Sequence, residues 1–314
     1  MRAIVLNEFG GVDQLVITDV PKPTIKEDEV LIKVKAISIN PVDVKTRAGK
    51  GIAGRLRDNR PLIIGWDISG TITEVGEQVT DFKIGDDVFG MVNFPGHGKA
   101  YAEYVAAPAS QLAVKPATVS HQEAAAATLA ALTAYQAFMH KAPVHPGQRL
   151  LIHAAAGGVG HFAVQLAKHL GAYVIGTSSA ANKEFVLSLG ADEHIDYTTE
   201  RFEEAVSDID LVLDLVGGQN IVRSLEVIKS GGTLISIPTG ISDELAAQAK
   251  ANDVTAFFFL VQSNGADMQQ IATLLDQGAL KSHVSQTYSF DNMEKAHLQQ
   301  ETGKTKGKLV ITLD

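Results

Sequence analysis

The 314-residue chain contains no cysteine. That excludes disulfides, a thiolate nucleophile, cysteine-ligated zinc and iron–sulfur clusters. Positive charge is in deficit: 27 lysines and arginines against 36 aspartates and glutamates leave a net charge of −9. No basic block offsets it, so the electrostatic footprint of a nucleic-acid binder is missing. Long apolar runs are absent too. The longest strongly apolar one, residues 254–261, has eight residues, against the roughly 20 that a membrane-spanning helix needs. The opening MRAIVLNEFGG lacks the charged-then-apolar layout of a signal peptide. What the chain does have is 45% hydrophobic and 20% charged residues, enough for a buried core and unlike a disordered segment. The expectation is a soluble, cytoplasmic, acidic globular protein of about two domains.

The first third reads as short strands. Between Glu29 and Ile39, the residues Val30, Ile32, Val34 and Ala36 alternate with Leu31, Lys33 and Lys35, the period-2 signal of a strand. Residues 2–7, 15–20, 71–75, 87–92 and 103–106 are similar runs, punctuated by Gly and Pro. Many short strands at this spacing predict a barrel or sandwich. Near residue 120 the character changes. Ser120 and Glu123 form a capping box, which predicts a helical stretch to about His140. Strand and helix patterns then alternate, with strands expected at 149–153, 173–177, 194–197, 211–216, 233–237 and 254–261. Six strands alternating with helices predict a doubly wound parallel sheet. A helix over 265–277, a strand over 283–290, a helix cap at 291–294 and a strand over 308–313 close the chain, and this tail is expected to rejoin the first domain.

The main functional signal is the run from His153 to Ala163, with Ala154-x-x-Gly157-x-x-Gly160 at its centre. It follows a strand and opens a helix, the context a dinucleotide fingerprint requires. Glycines let the backbone turn tightly, and the helix N-terminus offers free N–H groups to a pyrophosphate. Ala156, Gly157, Gly158, Val159 and Gly160 are the candidate contacts. At the end of the second strand an Asp or Glu would bind the adenosine ribose and repel a 2′-phosphate. Thr177, Ser178, Ser179 and Lys183 stand there instead, and no acid does. This favours NADP(H). Ser178 and Ser179 also suit a helix cap.

The stretches Asn40-Pro-Val-Asp43-Val-Lys45, Gly65-Trp66-Asp67, Gly70 to Gly76, Gly85-Asp86-Asp87-Val88, Tyr101 to Tyr104, Leu132-Thr133-Ala134-Tyr135, His153 to Gly160 and Gly303 to Val310 together resemble the zinc-free quinone oxidoreductase branch of the medium-chain dehydrogenase/reductases, including zeta-crystallin-like and enone-reductase members. The resemblance implies an α/β protein: a GroES-like β-barrel catalytic domain over 1–121, completed by 282–314, and a Rossmann NADP-binding domain over 122–281 with a six-stranded parallel sheet. It places the cofactor in the cleft between them and implies a homodimer. The metal-dependent branch draws ligands from a Cys and a Gly-His-Glu. Asn40 and Gly65-Trp66-Asp67 stand in those places here, so no metal is expected.

Without a Lewis acid, the better hydride acceptors are those that delocalise charge themselves, namely quinones and α,β-unsaturated carbonyls. The resemblance places Asn40, Asp43 and Lys45 near the nicotinamide, with Lys45 as donor to an enolate; the plainer alternative is an exposed Lys45 beside a capping Asp43. It sets Thr133 close to the cofactor, and Tyr197, Val216, Phe259 and Val261 are further candidate contacts. Residues 257–259 suit a dimer edge or core equally. Lys304 and Lys308 are read as reaching the cofactor phosphates or as a solvated basic tail. Competing readings are an enoyl-thioester reductase of the same superfamily and a non-catalytic NADPH-binding crystallin-like protein or redox sensor.

Overall fold

The computed structural model describes residues 1–57 and 61–313. β1 (Arg2–Leu6) and β2 (Leu15–Asp19) form an antiparallel pair. β3 (Glu29–Ile39) leads into α1 (Pro41–Arg47), and β4 (Asp67–Val75), β5 (Asp87–Met91), β6 (Tyr104–Pro108) and β7 (Leu112–Val114) follow. α2 (His121–Ala126) and α3 (Leu129–Gln136) come next. The alternation shows in the burial of the middle of β3: Ile32, Val34 and Ala36 are buried and Lys33 and Lys35 half-buried, whereas Leu31, expected on the lysine side, is buried as well.

The second half of the chain alternates strand and helix as expected: β8 (Arg149–Ile152), α4 (Gly158–His169), β9 (Tyr173–Ser178), α5 (Lys183–Ser188), β10 (Glu193–Asp196), α6 (Phe202–Ala205), β11 (Ile209–Asp214), α7 (Gln219–Ser224), β12 (Ile228–Ser236), α8 (Asp243–Ala251) and β13 (Thr255–Phe258). All six strands run parallel, in the order β10-β9-β8-β11-β12-β13. That is the doubly wound order, whose ligands collect at the carboxyl ends of the strands. Its core includes Leu151, Ile175, Val212 and Leu234 from four adjacent strands.

α9 (Gly265–Asp276), β14 (Val284–Ser289), α10 (Met293–Glu301) and β15 (Lys308–Thr312) complete the chain. The tail strands join the first sheet, in the order β14-β15-β3-β4-β5-β7 with β6 also on β3. Two compact units result: Met1–Leu132 with Val261–Asp314, and Thr133–Leu260.

These limits differ from the 1–121 and 122–281 expected from the sequence. The physical reason lies in α2 and α9. Ser282 Oγ donates to the carbonyl of Glu123, and Thr118 Oγ1 to Asp276. A Cβ on Gly265 would lie 2.5 Å from the carbonyl of Ser110. Both helices therefore pack on the first sheet. Local differences have local causes. The helix expected to run from 120 to 140 breaks at Ala127 because a carboxylate oxygen of Asp67 accepts the N–H of Leu129 at 3.1 Å and starts a new helix there. The apolar run 254–261 is a strand only over Thr255–Phe258. A 3₁₀ turn over Phe290–Asn292 leads into α10, whose N-cap residue, Asn292, lies within the expected 291–294.

Candidate active site

In the second unit the nucleotide turn grows out of β8. Ala154 adopts φ +48°, unusual for a residue with a Cβ, and its carbonyl accepts the N–H of Gly157 at 2.8 Å. α4 starts at Gly158, and the N–H of His161 bonds back to the carbonyl of Gly157. The N–H groups of Gly158, Val159 and Gly160 therefore lie ahead of that intrahelical bond. A Cβ on Gly160 would sit 2.2 Å from the carbonyl oxygen of Ala154, so only glycine lets the helix lie this close to the turn. This close-packed turn, with its three free N–H groups, fits a dinucleotide pyrophosphate.

Beneath the turn His153 is 1% exposed. Its Nδ1 lies 3.0 Å from Thr177 Oγ1 and its Nε2 3.1 Å from Ser224 Oγ. Burial, with a contribution from the Arg223 charge, pushes its pKa down to about 3, so the ring is neutral. The Thr177 hydroxyl is thus engaged by a buried histidine.

At the ends of β9 and β10 the structure gathers Ser178, Ser179, Lys183 and Tyr197. The N–H of Tyr197 donates to the carbonyl of Ser178, Ser179 Oγ accepts from Asn182, and Lys183 and Tyr197 are exposed. The nearest acid, Asp196, stands opposite Ser178 in the β10–β9 register. Its oxygens accept from the Thr198 N–H and from the hydroxyls of Thr198 and Thr199. These hydrogen bonds tie the Asp196 carboxylate to its own turn. His194 joins the group: its Nε2 lies 2.7 Å from Ser178 Oγ. Sequence reading took it only as a strand residue.

Further along the same sheet edge, Asp214 is buried at the end of β11. It accepts the N–H groups of Val216 and Gly217 and the amide of Asn220, leaving Val216 56% exposed at the tip of that turn. Phe259, just after β13, is buried, with the Lys141 ammonium 5.6 Å from its ring centroid. Thr133 and Ala156 are buried as well. Val261 belongs to the first unit.

In the first unit, strand register assembles a charged cluster. β15 runs antiparallel to β3 with Leu309 opposite Ile39, so the next step sets Lys308 opposite Asn40. β4 runs antiparallel to β3 with Asp67 opposite Ser38. Lys308 Nζ donates to the carbonyl of Ile39 at 2.8 Å and to Asn40 Oδ1. Asn40 Nδ2 donates to Asp67 Oδ2 at 2.7 Å, and the Asn40 N–H to Asp43 Oδ2 at 2.6 Å. All four side chains are buried. Burial and the neighbouring charge of Asp67 push Asp43 up to about 8, against the pull of the Asn40 hydrogen bonds and Lys308. Burial also raises Asp67 and lowers Lys308.

Lys308 departs from the solvated-tail expectation, because its ammonium is turned into the unit and held by Ile39 and Asn40. Lys304 is exposed, and so is Lys45 in the last turn of α1. Trp66 is fully buried, its Nε1 donating to the carbonyl of Gly96 and its ring edge-on to Phe94.

Two family models match the chain: an alcohol dehydrogenase GroES-like domain over residues 26–117 and a zinc-binding dehydrogenase over 189–311. A 2-methylene-furan-3-one reductase from Solanum lycopersicum is 36% identical over 99% of this chain and 79% of its own length. A chloroplastic NADPH-dependent alkenal/one oxidoreductase from Arabidopsis thaliana is 34% identical over the same shares. The solved structure of the quinone oxidoreductase from Coxiella burnetii superposes with a TM-score of 0.95 at 39% identity, covering 100% of this chain and 99% of that one. A GroES-like unit and a doubly wound nucleotide fold in one chain, with these relatives, define a nucleotide-dependent oxidoreductase. The chain belongs to the quinone oxidoreductase branch of the medium-chain dehydrogenase/reductases. The zinc in one family description does not fit the residues here: Asn40, Trp66 and Asp67 offer one carboxylate and neither thiolate nor imidazole.

Proposed function

We propose that this protein transfers hydride from NADPH to a conjugated acceptor, an enone, alkenal or quinone, with a proton completing the two-electron reduction. The observation that carries the reading is the Asn40–Asp67 hydrogen bond closed by Lys308. Where a metal-dependent relative needs ligands, this chain has a hydrogen-bonded cluster held by its own ammonium. An acceptor that delocalises charge then suits the site better than a simple alcohol or aldehyde. The names of the tomato, Arabidopsis and Coxiella relatives support the same substrate class.

Bound NADPH supplies the hydride. The N–H groups of Gly158, Val159 and Gly160 hold the pyrophosphate, with Ala156 and Gly157 forming the turn beneath it. Ser178, Ser179, Lys183 and Tyr197 take the 2′-phosphate. Thr177 stays tied to His153 and fixes the base of the turn. Val216, Phe259, Thr133 and Val261 are the remaining cofactor contacts in this reading. Asn40 and Asp43 fix the start of α1, and Lys45, exposed on that helix, donates to the oxygen or carbon that gains charge.

The test is NADPH oxidation with EDTA present, against a naphthoquinone, a medium-chain alkenal and a crotonyl thioester, with NADH as control. Turnover of alkenal or quinone with a strong NADPH preference is expected. Lys45→Met should lower kcat/KM for the alkenal by about 10²-fold or more, the usual contribution of a positioned proton donor. Unchanged kcat/KM removes Lys45 from the mechanism. Bound NADPH with no turnover makes the protein a binder, and loss of turnover with EDTA overturns the argument from the ligand set.

A further inference from the structure

A 2′-phosphate titrates with a second pKa of about 6 and approaches a dianion at neutral pH. Its natural partners are fixed cations and hydroxyl donors. The structure adds a histidine to the group that sequence alone identified. β10 and β9 run parallel, with His194 opposite Gly176 and Asp196 opposite Ser178. Across them, His194 Nε2 lies 2.7 Å from Ser178 Oγ, whose other acceptor is the carbonyl of Ser179 at 3.2 Å. A serine hydroxyl has one hydrogen to give. While Nε2 is unprotonated, that hydrogen is shared between the ring and a carbonyl. Once Nε2 carries a proton, the ring donates to Ser178 Oγ, and the hydroxyl hydrogen is free for a phosphate oxygen. The imidazolium also adds a second positive charge beside Lys183.

We infer that His194 is a proton-linked part of the 2′-phosphate pocket, taking up a proton as NADPH binds and biasing the protein towards NADPH over NADH as pH falls. The inference rests on the reading of Ser178, Ser179 and Lys183 as that pocket. The groups facing the ring are Ser178 from β9, Lys183 from α5, Asp196 at the end of β10 and Glu200 beyond it. Burial and Lys183 hold the ring below its usual value, while Asp196 and Glu200 act the other way. His194 is therefore neutral near neutral pH before NADPH binds, and an incoming dianion supplies the charge that reverses this.

Calorimetric titration of NADPH and of NADH, in two buffers of different ionisation enthalpy at about pH 7, counts the protons exchanged. The phosphate's own titration releases protons on binding, opposite in sign to uptake by His194. The readout is thus the difference between wild type and His194→Gln, which keeps a hydrogen-bonding group at this position. Wild type should take up more protons with NADPH than the variant does, and the two should match with NADH. The preference for NADPH should also rise more steeply towards low pH in wild type. One unit of induced pKa shift corresponds to about tenfold in affinity. Ser178→Ala is expected to reduce the proton count in the same way. Equal proton counts in wild type and His194→Gln overturn the role of His194 while leaving the pocket intact. Equal affinity of wild type for NADPH and NADH overturns the pocket itself, and this inference with it.

Discussion

At the scale of single residues, Lys308 shows what contact with the fold does to a charge. A lysine near the chain end, four residues after Lys304 and two after Lys306, reads as solvated. In the structure its ammonium is fully enclosed and closes the Asn40–Asp67–Asp43 cluster. Removing one partner of a buried ion cluster leaves an uncompensated charge. Lys308→Met should therefore destabilise the protein by about 3–5 kcal/mol, read as a shift in the urea midpoint. Lys304→Met, at an exposed position, should change it by less than about 0.5 kcal/mol. Nothing in the local sequence separates these two lysines. The antiparallel pairing of β15 with β3, which joins residues some 270 positions apart, sets Lys308 against Asn40. His194 was hidden for the same reason: it meets Ser178 only across two strands. Asn40 and Asp67 were legible as replaced ligands, but their mutual hydrogen bond was not.

At the scale of elements, periodicity and turn chemistry carried most of the fold. β3 showed its face by alternation, the Ser120–Glu123 box marked the start of α2, and the strand–helix alternation gave the six-stranded sheet and its fingerprint. The misses came where a tertiary contact overrode local preference. Ala-rich sequence favours one continuous helix from 120 onwards, yet the Asp67 carboxylate caps α3 and splits it. Residues 254–261 are apolar throughout, but only Thr255–Phe258 find a strand partner in β12. The glycine turn is the element where sequence and packing agree most closely, and it yields a contrast. At Gly160 an added Cβ would lie 2.2 Å from the Ala154 carbonyl and 2.8 Å from Ala155 Cα, whereas at Gly157 the nearest atom is 3.2 Å away. Gly160→Ala must push the start of α4 off the turn, at a cost of about 1–3 kcal/mol. It should also weaken NADPH binding by displacing the free N–H groups. Gly157→Ala should be the milder change in both urea midpoint and NADPH dissociation constant. Equal effects would mean that the closeness of α4 to the turn is not what the glycines protect.

At the scale of the whole molecule, each compact unit carries a buried histidine that burial holds neutral. His297, on α10 in the first unit, lies 2.9 Å from the Tyr101 hydroxyl and 3.3 Å from an Arg47 nitrogen. His153 lies under the nucleotide turn in the second unit. Burial, followed by a neighbouring arginine, pushes both down to about 3. An unfolded histidine titrates at about 6.5. Between those values the unfolded chain binds the extra proton, so each histidine makes stability fall as pH falls, by up to about 1.4 kcal/mol per pH unit. The buried carboxyls act in the opposite sense. Asp43, raised to about 8, and Asp67, also raised, retain protons that the unfolded chain loses, so their contribution declines as pH rises from the ordinary carboxylate range towards 8. These slopes oppose one another in the wild-type profile, and a comparison with variants separates them. His153→Gln removes one histidine slope from the second unit and leaves the Asp43 cluster untouched. Its stability relative to wild type should be lowest above about pH 7 and improve steadily on acidification below about 6.5. Urea titrations at a series of pH values measure this difference directly. A difference independent of pH would mean that His153 titrates in the folded protein as it does in the unfolded chain, and a variant that worsens on acidification would mean that the bonds to Thr177 and Ser224 are made by an imidazolium.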